Sequence, residues 1–348
     1  MKVLVSGASG FLGGHLVDHC LAAGDAVRAL VRPSSDVARL RELSQASGGA
    51  VELAYGDVTE PKSLAAATRG VDVVYHSAAR VSDFGTRRQF WDANVAGTRA
   101  LVDAARRNGV SRFVFVSSPS VVTDDRDQVA IDEGYPYPRR FVNLYSETKA
   151  LAEQLVLGAN GRGFVTCAIR PRGIWGPRDR TGFLPKIVAK LAAGRLPDLS
   201  GGRRVQASLC YVDHAAAACL QAARAPSVGG KAYFVCDDAP TDVWPFADVL
   251  ADLFALPRIR RRIPLALARV VARAIDALWQ LPGLGDRRSP PLSRYSLGLL
   301  TLTATYDTSA ARRDFGFCPT IDQPTGLRRL REWVDEIGGV GEFTRFVT

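Results

Sequence analysis

The chain opens with a strand-like apolar run, a glycine-rich turn and a helical pattern, and this order constrains the fold more than any other feature. The run is 2–6, and Gly7, Gly10 and Gly13 follow it in the spacing G-x-x-G-x-x-G. The first glycine allows a tight turn, the second lets the backbone approach a pyrophosphate, and the third lets the helix pack close to the strand. A helix N-terminus here would offer amide donors and partial positive charge to phosphates. The segment predicts a dinucleotide site formed by Gly7, Ser9, Gly10, Phe11, Leu12 and Gly13.

Apolar runs alternate with helical patterns over residues 1–170. This alternation is typical of βαβ units and a parallel sheet. We predict an α/β fold with a doubly wound, Rossmann-type parallel sheet and a smaller mixed C-terminal region. The predicted strands are 2–6, 26–31, 50–54, 72–76, 112–117 and 163–169, and the predicted helices include 11–23, 87–108 and 143–157.

The alternation stops after residue 170, where prolines and glycines become frequent. We interpret 1–170 as a dinucleotide-binding domain. Residues 171–340 would then form a substrate-binding region that covers the open end of the sheet and is partly interleaved with the first domain.

The bulk composition predicts a globular cytoplasmic protein. The first strand leaves no room for a signal peptide, no apolar run reaches the ~18 residues of a membrane span, and six scattered cysteines lack the spacing of a disulfide or zinc framework. The net charge is +10, but the arginines are dispersed and no fingerprint of a nucleic-acid-binding fold is present. A phosphate-bearing cofactor, an anionic substrate or anionic lipid explains this charge better than nucleic acid does.

The end of the second predicted strand bears on the choice between NAD and NADP. An acid at this position usually binds the ribose 2′-hydroxyl of NAD. Here Arg32 occupies it, followed by Ser34 and Ser35. A guanidinium pairs with a 2′-phosphate in a fork, so we expect NADP to be favoured over NAD. The alternative is that Arg32 only points to solvent.

Two further strand ends fall where a dinucleotide would run. Asp57, after the third strand, could accept from the adenine amino group, although a turn-forming aspartate explains it almost as well. Ala78 and Ala79 follow the fourth strand, and their small side chains would let the backbone lie against ribose and phosphate.

Tyr145 and Lys149 lie four residues apart, so on a helix they share one face. The tyrosine would move a proton to or from a substrate oxygen, and a neighbouring cation would favour its ionised form. Ser118, at the end of the fifth strand, would orient the same oxygen. Behind a dinucleotide turn, these three residues predict an oxidoreductase that interconverts an alcohol and a ketone.

Taken together, these motifs resemble the extended short-chain dehydrogenases/reductases. The resemblance implies that Ser118, Tyr145 and Lys149 form the catalytic triad and that Asn94 stabilises the fold near the site. It also implies that the segment after the sixth strand passes beside the nicotinamide. Further cofactor contacts implied in this way are Val58, Asn94, Ser117, Pro171, Gly173 and Ile174.

A closer resemblance is to the 3β-hydroxysteroid dehydrogenase branch, with its sterol-4α-carboxylate 3-dehydrogenases and its bacterial reductases of long 2-alkyl-3-oxoalkanoic acids. The branch is mixed in its cofactor, and its sterol members mostly use NAD. A homodimer is expected from the resemblance alone. The matching segments are YSETKALAE at 145–153, IRPRGIWGPRD at 169–179, YVD at 211–213, GGKAYF at 229–234 and RRDFGFCP at 312–319.

The segment 263–281 reads as an amphipathic helix, because Arg269, Arg273, Asp276 and Gln280 form one polar stripe. It could pack on the core. It could also lie on a membrane surface or form a lipid-facing lid, which the nearby Arg258, Arg260, Arg261 and Arg262 would favour.

The substrate-pocket residues are less defined. Phe84, Phe90, Trp91 and Trp175 are aromatic candidates for its wall, although each could equally be core. Arg172, Arg178 and Arg180 could bind a substrate carboxylate or could be solvated loop residues.

We therefore expect an enzyme that interconverts a secondary alcohol and a ketone on a bulky apolar or lipid-like substrate. The favoured substrate is a 3β-hydroxysteroid or sterol, and the second candidate is a long-chain 3-oxo acid. Nucleotide-sugar epimerases and dehydratases share this type of site. The dehydratases carry an Asp-Glu pair after the strand-five hydroxyl, whereas Ser118 is followed by Pro119 and Ser120. A dinucleotide-binding regulator without turnover is the remaining alternative, but such proteins usually lose the tyrosine or the lysine.

Overall fold

The computed structural model of the protein describes residues 1–82, 84–279 and 290–347. The strands are β1 Lys2–Ser6, β2 Ala26–Val31, β3 Val51–Tyr55, β4 Val73–His76, β5 Arg112–Val116, β6 Gln128–Ile131, β7 Val165–Pro171, β8 Ile174–Trp175, β9 Gln206–Ala207, β10 Cys210–Tyr211, β11 Lys231–Val235, β12 Thr241–Asp242 and β13 Ala304–Tyr306. The helices are α1 Phe11–Ala22, α2 Ala38–Ala46, α3 Pro61–Ala67, α4 Arg87–Phe90, α5 Gly97–Arg107, α6 Leu144–Gly158, α7 Phe183–Ala192, α8 Val212–Arg224, α9 Val243–Leu253, α10 Leu265–Trp279, α11 Arg294–Thr301, α12 Ser309–Phe315, α13 Gln323–Glu336 and α14 Val340–Thr344.

The largest sheet has seven strands in the order β11-β7-β5-β4-β1-β2-β3, and every neighbouring pair is parallel. The strand order reverses between β1 and β4, which makes this the switch point at which doubly wound sheets bind their ligands. Because the strands are parallel, their carboxyl ends all open at one edge. The predicted α/β fold with a doubly wound sheet is confirmed.

Apolar side chains cover both faces of this sheet, as its continuous hydrophobic strands require. On one face, α1 and α8 pack together through residues such as Leu16 and Cys219. On the other face, α3, α5 and α6 contribute Leu64, Leu101 and Val156. The result is a helix–sheet–helix sandwich whose carboxyl edge is left for ligands.

The remainder of the described chain forms a smaller mixed region. It contains the sheet β12-β9-β13-β6, the pair β10-β8, and a core that includes Trp175, Tyr211 and Leu330. The division at residue 170 stays a prediction, but β11 belongs to the large sheet and β6 to the small one, so the chain crosses it in both directions.

The helix predicted at 87–108 is interrupted. A π-helical turn at Trp91–Ala96 separates α4 from α5, and a 3-10 turn at Pro119–Val122 follows β5. The π-turn rotates Asn94 into the protein, where it is 1% exposed. Within the described ranges, no helix has the length and apolar character needed to cross a bilayer.

Candidate active site

The glycine turn has the shape that a dinucleotide site needs. Gly7 has a φ of +69°, and a Cβ on Gly13 would lie 2.0 Å from the Gly7 carbonyl oxygen, so α1 packs directly on the turn. Ser9 and Gly10 are exposed, and the N-terminus of α1 carries no side-chain cap or acid in its first turn. Its amide donors are therefore available to a pyrophosphate, and these residues fit a dinucleotide.

The ends of β2 and β3 lie further along the same edge. Arg32 directly follows β2 and is exposed. Asp57 follows β3, and its Oδ1 accepts from the backbone N of Thr59 at 2.9 Å and from its hydroxyl at 2.8 Å. Val58 packs under α5, since a Cβ on Gly97 would lie 2.9 Å from the Val58 Cγ2. Asp57 therefore forms a turn at the position where the sequence predicts an adenine contact.

A buried polar chain fixes the floor of the cleft at the switch point. His76, at the end of β4, contacts the Ser6 hydroxyl at 2.7 Å and the Thr98 hydroxyl at 2.9 Å. Burial, assisted by the charge of Lys149, lowers the pKa of His76 to about 3, so its ring is neutral. The following Ala78 donates its N–H to the Ser6 hydroxyl, and Ala78 and Ala79 remain partly exposed beside the glycine turn.

Asn94 ties the cleft wall to the helix that carries Tyr145. Its Oδ1 accepts from the backbone N of Arg80 at 2.7 Å. Its Nδ2 donates to the Arg80 carbonyl at 3.2 Å and to the Thr148 hydroxyl at 3.1 Å. Thr148 precedes Lys149, so Asn94 sets the distance between α6 and the loop after β4. This contact supports the stabilising role that the resemblance implies for Asn94.

Tyr145 lies in the first turn of α6, which is capped by the Asn143 side chain accepting from the Ser146 N–H at 2.8 Å. The Tyr145 side chain is hydrogen-bonded to that of Ser118, so the structure brings the predicted phenol and serine together. Burial raises the pKa of Tyr145 to about 12, although the Ser118 hydrogen bond acts to lower it. The phenol is therefore protonated at neutral pH.

Lys149 lies one turn further along α6 and is 2% exposed. Its Nζ donates to the Val116 carbonyl at 2.5 Å and lies 3.8 Å from the centroid of the Phe115 ring. Burial lowers the pKa of Lys149 to about 7, and the charge of Glu153 opposes that shift. In this arrangement it is Ser118, not Lys149, that lowers the pKa of Tyr145.

Sequence reasoning missed a buried ion pair another turn along α6. Arg170 donates to both Glu153 carboxylate oxygens, at 2.9 and 2.6 Å, and Tyr137 donates to Oε1 at 2.7 Å. Glu153 is fully buried and Arg170 is 3% exposed. The sequence did contain a hint of this pair. Glu153 follows Lys149 by four residues, as Lys149 follows Tyr145, so the three side chains lie near one face of the helix.

The segment after β7 lies beside Ser118. Val116 pairs with Ile169 across β5 and β7, and the Ser117 N–H donates to the Ile169 carbonyl at 2.7 Å. Ser118 and Pro171 are each two residues beyond that pair, so the two chain segments leave the sheet side by side. Gly173 has a φ of +52°, and Ile174 pairs with Cys210 in β8 and β10.

A cleft of about 30 Å³ opens next to this segment. It lies between the loop after the 3-10 turn, the approach to α6, and α11 with β13. Arg172 projects into it and is hydrogen-bonded to the Tyr306 hydroxyl. The lining includes Val142, Arg172, Arg294, Leu299, Leu302 and Tyr306.

The structure corrects two substrate predictions. Trp175 is 1% exposed in the C-terminal core and donates to Asp237 at 2.8 Å, so its predicted place in an open pocket wall is wrong. Arg178 is held by Asp18 at 2.7 Å and donates to the His15 ring at 3.1 Å, which removes it from the substrate cleft.

The other candidates are distributed as follows. Arg180 lies over the rings of Trp333 and Phe346. Phe90 is 2% exposed and is core. Trp91 is 45% exposed on the π-turn, and Phe84 is partly buried, so their predicted place in the pocket wall stays a prediction.

The fold and this arrangement of serine, tyrosine and lysine define a dinucleotide-dependent short-chain dehydrogenase/reductase, an enzyme that acts on CH–OH and keto groups. Residues 4–267 match the model of the 3-beta hydroxysteroid dehydrogenase/isomerase family, and the chain belongs to that family.

Curated relatives cover nearly the whole chain. It is 36% identical to a 4-hydroxy-2-methyl-3-oxo-4-farnesyl-3,4-dihydroquinoline-1-oxide ketoreductase from Stigmatella aurantiaca, over 95% of this chain and 96% of the relative. It is 34% identical to a 2-alkyl-3-oxoalkanoate reductase from Stenotrophomonas maltophilia, over 95% of this chain and 98% of the relative. It is 35% identical to a 3-beta-hydroxysteroid dehydrogenase from Mycolicibacterium neoaurum, over 91% of this chain and 87% of the relative.

Solved structures share the fold. A dTDP-glucose 4,6-dehydratase from Streptomyces venezuelae with NAD bound has a TM-score of 0.77 at 22% identity, over 97% of both chains. A short-chain dehydrogenase/reductase superfamily protein from Agrobacterium tumefaciens, also with bound NAD, has a TM-score of 0.71 at 22% identity, over 97% of this chain and 98% of the other.

Proposed function

We propose that the protein interconverts a secondary alcohol and a ketone on a bulky apolar substrate, with Tyr145 moving the proton. The observation that carries this proposal is the hydrogen-bonded pair of Tyr145 and Ser118 at the carboxyl edge of the sheet, beside the glycine turn.

The residues divide the work as follows. When bound, a nicotinamide dinucleotide supplies or accepts the hydride. Tyr145 is protonated at neutral pH, so it can donate to the oxygen of a ketone, and Ser118 holds the phenol in place. Lys149 lies one turn further along α6, where its Nζ donates to the Val116 carbonyl and does not act on the pKa of Tyr145.

Two substrate classes fit this reaction. A 3β-hydroxysteroid or sterol is the first candidate, because of the family and the relative from Mycolicibacterium neoaurum. A long-chain 2-alkyl-3-oxo acid is the second, supported by the reductase from Stenotrophomonas maltophilia and by the cationic side of the cleft that contains Arg172.

The test is a turnover screen with hydroxysteroids, 3-oxo acids and sugar nucleotides, followed by the absorbance of the reduced cofactor. Tyr145→Phe should lower kcat by about 100- to 10,000-fold and leave cofactor binding nearly intact, because it removes only the transferable proton. The matched control is Tyr55→Phe, at an exposed tyrosine far from Ser118. Turnover of sugar nucleotides alone, or full activity of Tyr145→Phe, would overturn the proposal.

We also propose NADP as the preferred dinucleotide. Arg32 is exposed at the end of β2, on the side of the glycine turn where the adenosine ribose would lie. Arg32→Glu should raise KM for NADPH about tenfold or more and leave KM for NADH equal or lower, since a carboxylate repels the 2′-phosphate. Arg107→Glu makes the same charge change on the exposed side of α5 and serves as the control. Equal NADPH kinetics for both variants would refute the role of Arg32.

The helix predicted to contact a membrane is α10, and we propose that it lies on an anionic lipid surface. Residues 280–281 of the predicted segment lie outside the described residues. In α10, Ala268 and Ala272 are buried, whereas an apolar stripe beside them is exposed. A cleft lined by arginines at 195, 258, 260 and 261 lies just before the helix. Apolar area beside positive charge suits a bilayer with anionic headgroups. The stripe consists of Leu267, Val270, Val271 and Leu278, each 41% to 62% exposed.

Sedimentation with vesicles tests this surface. The protein should bind phosphatidylcholine vesicles that contain phosphatidylglycerol, and Val270→Glu should weaken that binding. Val249→Glu, at an exposed valine of α9, is the control. Absence of binding would overturn this proposal. A change in oligomeric state of Val270→Glu by light scattering, without any effect on vesicle binding, would show instead that the stripe is an interface between copies of the chain.

A further inference from the structure

We infer that His76 is a positioning residue, whose ring carries its single proton on Nε2 and couples the glycine turn of the dinucleotide site to the helix that carries Tyr145. The inference rests on the proposed function, because it names the residue that keeps the cofactor side and the proton-donor side in register. His76 is fully buried, so it acts through Ser6 on one side and Thr98 on the other rather than by touching cofactor or substrate.

The hydrogen bonds around His76 run in one direction. The Thr98 hydroxyl has a single proton, which it donates to the Asn94 carbonyl at 2.7 Å. The Thr98 oxygen therefore accepts from His76 Nε2, 2.9 Å away. Nδ1 is left to accept from the Ser6 hydroxyl at 2.7 Å, and the Ser6 oxygen accepts from the Ala78 N–H at 3.3 Å. With the ring proton on Nδ1 instead, Thr98 would need one proton for both Asn94 and Nε2.

At one end, this hydrogen-bond chain supports the glycine turn. Ser6 is the last residue of β1 and directly precedes Gly7. A Cβ on Gly7 would lie 3.0 Å from both the backbone N and the Cα of Ala78, so the segment after β4 packs directly on the turn. The Ser77 hydroxyl adds a second tie by donating to the Ser6 carbonyl at 3.0 Å. Ser6 and His76 therefore hold Ala78 against the turn that would bind the pyrophosphate.

At the other end, the hydrogen-bond chain reaches α6. Thr98 lies in the first turn of α5, and the carbonyl that it contacts belongs to Asn94 in the π-turn. The Asn94 side chain donates to the Thr148 hydroxyl at 3.1 Å, and Thr148 donates to the Leu144 carbonyl at 2.7 Å. Tyr145 is the residue after Leu144. A shift of Thr98 is thus transmitted through Asn94 to the helix turn that carries the phenol.

Packing leaves the His76 ring little freedom. Its centroid lies 5.8 Å from that of Phe113 and 5.5 Å from that of Phe115, and Lys149 Nζ lies 3.8 Å from the centroid of the same Phe115 ring. Burial and the charge of Lys149 lower the pKa of His76 to about 3, so the ring stays neutral at neutral and mildly acidic pH. A fully satisfied polar network in a buried site is rigid, which suits a positioning role.

Kinetics of the full-length protein test the two ends separately. His76→Asn keeps an acceptor for Ser6 but removes the donor to Thr98, so it should lower kcat about 3- to 10-fold and leave the KM for the dinucleotide near that of the wild type. His76→Gln keeps a donor to Thr98 but removes the acceptor for Ser6, so it should raise the KM for the dinucleotide by a similar factor and retain kcat. Thr98→Val should repeat the first pattern and Ser6→Ala the second.

The matched control is Thr68→Val, at the end of α3. Thr68 is fully buried, donates to the Leu64 carbonyl four residues earlier at 2.9 Å, and accepts from Asn108 at 2.7 Å. It therefore has the same type of hydrogen bonds as Thr98 without a connection to the glycine turn or α6. Thr68→Val should lower stability as much as Thr98→Val and leave kcat and KM unchanged. If Thr98→Val alters the kinetics no more than Thr68→Val, the inference fails.

Nuclear magnetic resonance with 15N-labelled histidine tests the direction of the bonds in the wild-type protein, whether or not a His76 variant folds. The ring of His76 should carry a proton on Nε2 and none on Nδ1, unchanged from pH 5 to 8, and Thr98→Val should shift its Nε2 signal. A proton on Nδ1, or a charged ring at pH 7, would overturn the inference and leave the proposed function standing. Full activity of Tyr145→Phe would instead overturn the proposed function itself.

Discussion

At the scale of single residues, the site keeps a charged lysine where burial opposes the charge. Lys149 is 2% exposed, and its pKa falls from 10.5 to about 7, chiefly through burial. Below pH 7 the folded protein carries this buried charge and is destabilised by it. Between pH 7 and 10.5 the unfolded chain holds the proton that the folded protein has released, so the destabilisation fades as pH rises.

Lys149→Met should therefore stabilise the protein while reducing activity. The lowered pKa of Lys149 corresponds to a destabilisation of the folded protein by at most about 5 kcal/mol. The substitution also removes the hydrogen bond to the Val116 carbonyl, which offsets about 1 kcal/mol of the gain. We expect a gain of about 2–4 kcal/mol in the free energy of unfolding at pH 6, shrinking as the pH is raised from 7 towards 10.5. Urea unfolding at pH 6, 8 and 10 measures it.

The matched control is Lys62→Met, at an exposed lysine of α3, which should change stability little at any pH. A Lys149→Met variant that is less stable than wild type at pH 6 would show that the contacts to Val116 and Phe115 outweigh the cost of burying the ammonium.

Single residues could be predicted from the sequence where the chemistry is local. Tyr145 and Lys149 were found because four residues on one helix fix their relation, whatever the rest of the chain does. The roles of Trp175 and Arg178 could not be found this way. Their partners, Asp237 and Asp18, are 62 and 160 residues distant in the chain, so only the fold reveals that both side chains are engaged.

At the scale of elements, α6 is held at two levels along its length. Asn94 fixes its first turns to the loop after β4, and the Arg170–Glu153 pair fixes its middle to β7. Tyr145 and Lys149 are close to these contacts on the same helix. The two contacts therefore set the position of both catalytic side chains relative to the sheet. An ion pair this deeply buried is costly to break, since removing one charge leaves the other without compensation.

Glu153→Gln should lower the free energy of unfolding by about 2–4 kcal/mol, because Arg170 would remain charged and buried with only a neutral partner. It should also lower the pKa of Lys149 further, since the Glu153 charge now raises it. Glu147→Gln is the control on the same helix. Its salt bridge to the exposed Arg87 should contribute less than about 1 kcal/mol. Equal losses in the two variants, measured by urea unfolding, would contradict the role of Glu153.

The sequence predicted the long elements better than the short ones. Continuous apolar runs such as Arg112–Val116 specify a parallel strand by composition alone. The two-residue strands β8 to β10 carry no period, and β13 joins β6 across more than 170 residues. The π-turn at Trp91–Ala96 was missed because it depends on where Asn94 finds its partners, Arg80 and Thr148.

At the scale of the whole molecule, the C-terminal half completes the dinucleotide-binding sheet. Helix α8 covers α1 through Ala215, Ala216 and Cys219, all fully buried. Strand β11 covers the edge of β7 from Lys231 to Val235. Asp213, at the start of α8, accepts from His15 at 2.8 Å and contacts His19 at 3.2 Å, which fixes α8 to α1.

The segment 1–170 should consequently fail to fold when expressed alone. Without α8 it would expose one apolar face of the sheet, and without β11 it would leave the edge of β7 unpaired, which invites aggregation. Circular dichroism and urea unfolding should show no cooperative transition for 1–170, whereas a chain ending after β11, at residue 236, should recover one. A sharp, reversible transition for 1–170 would establish it as an autonomous domain. It would mean that the sheet does not need α8 and β11 in order to fold.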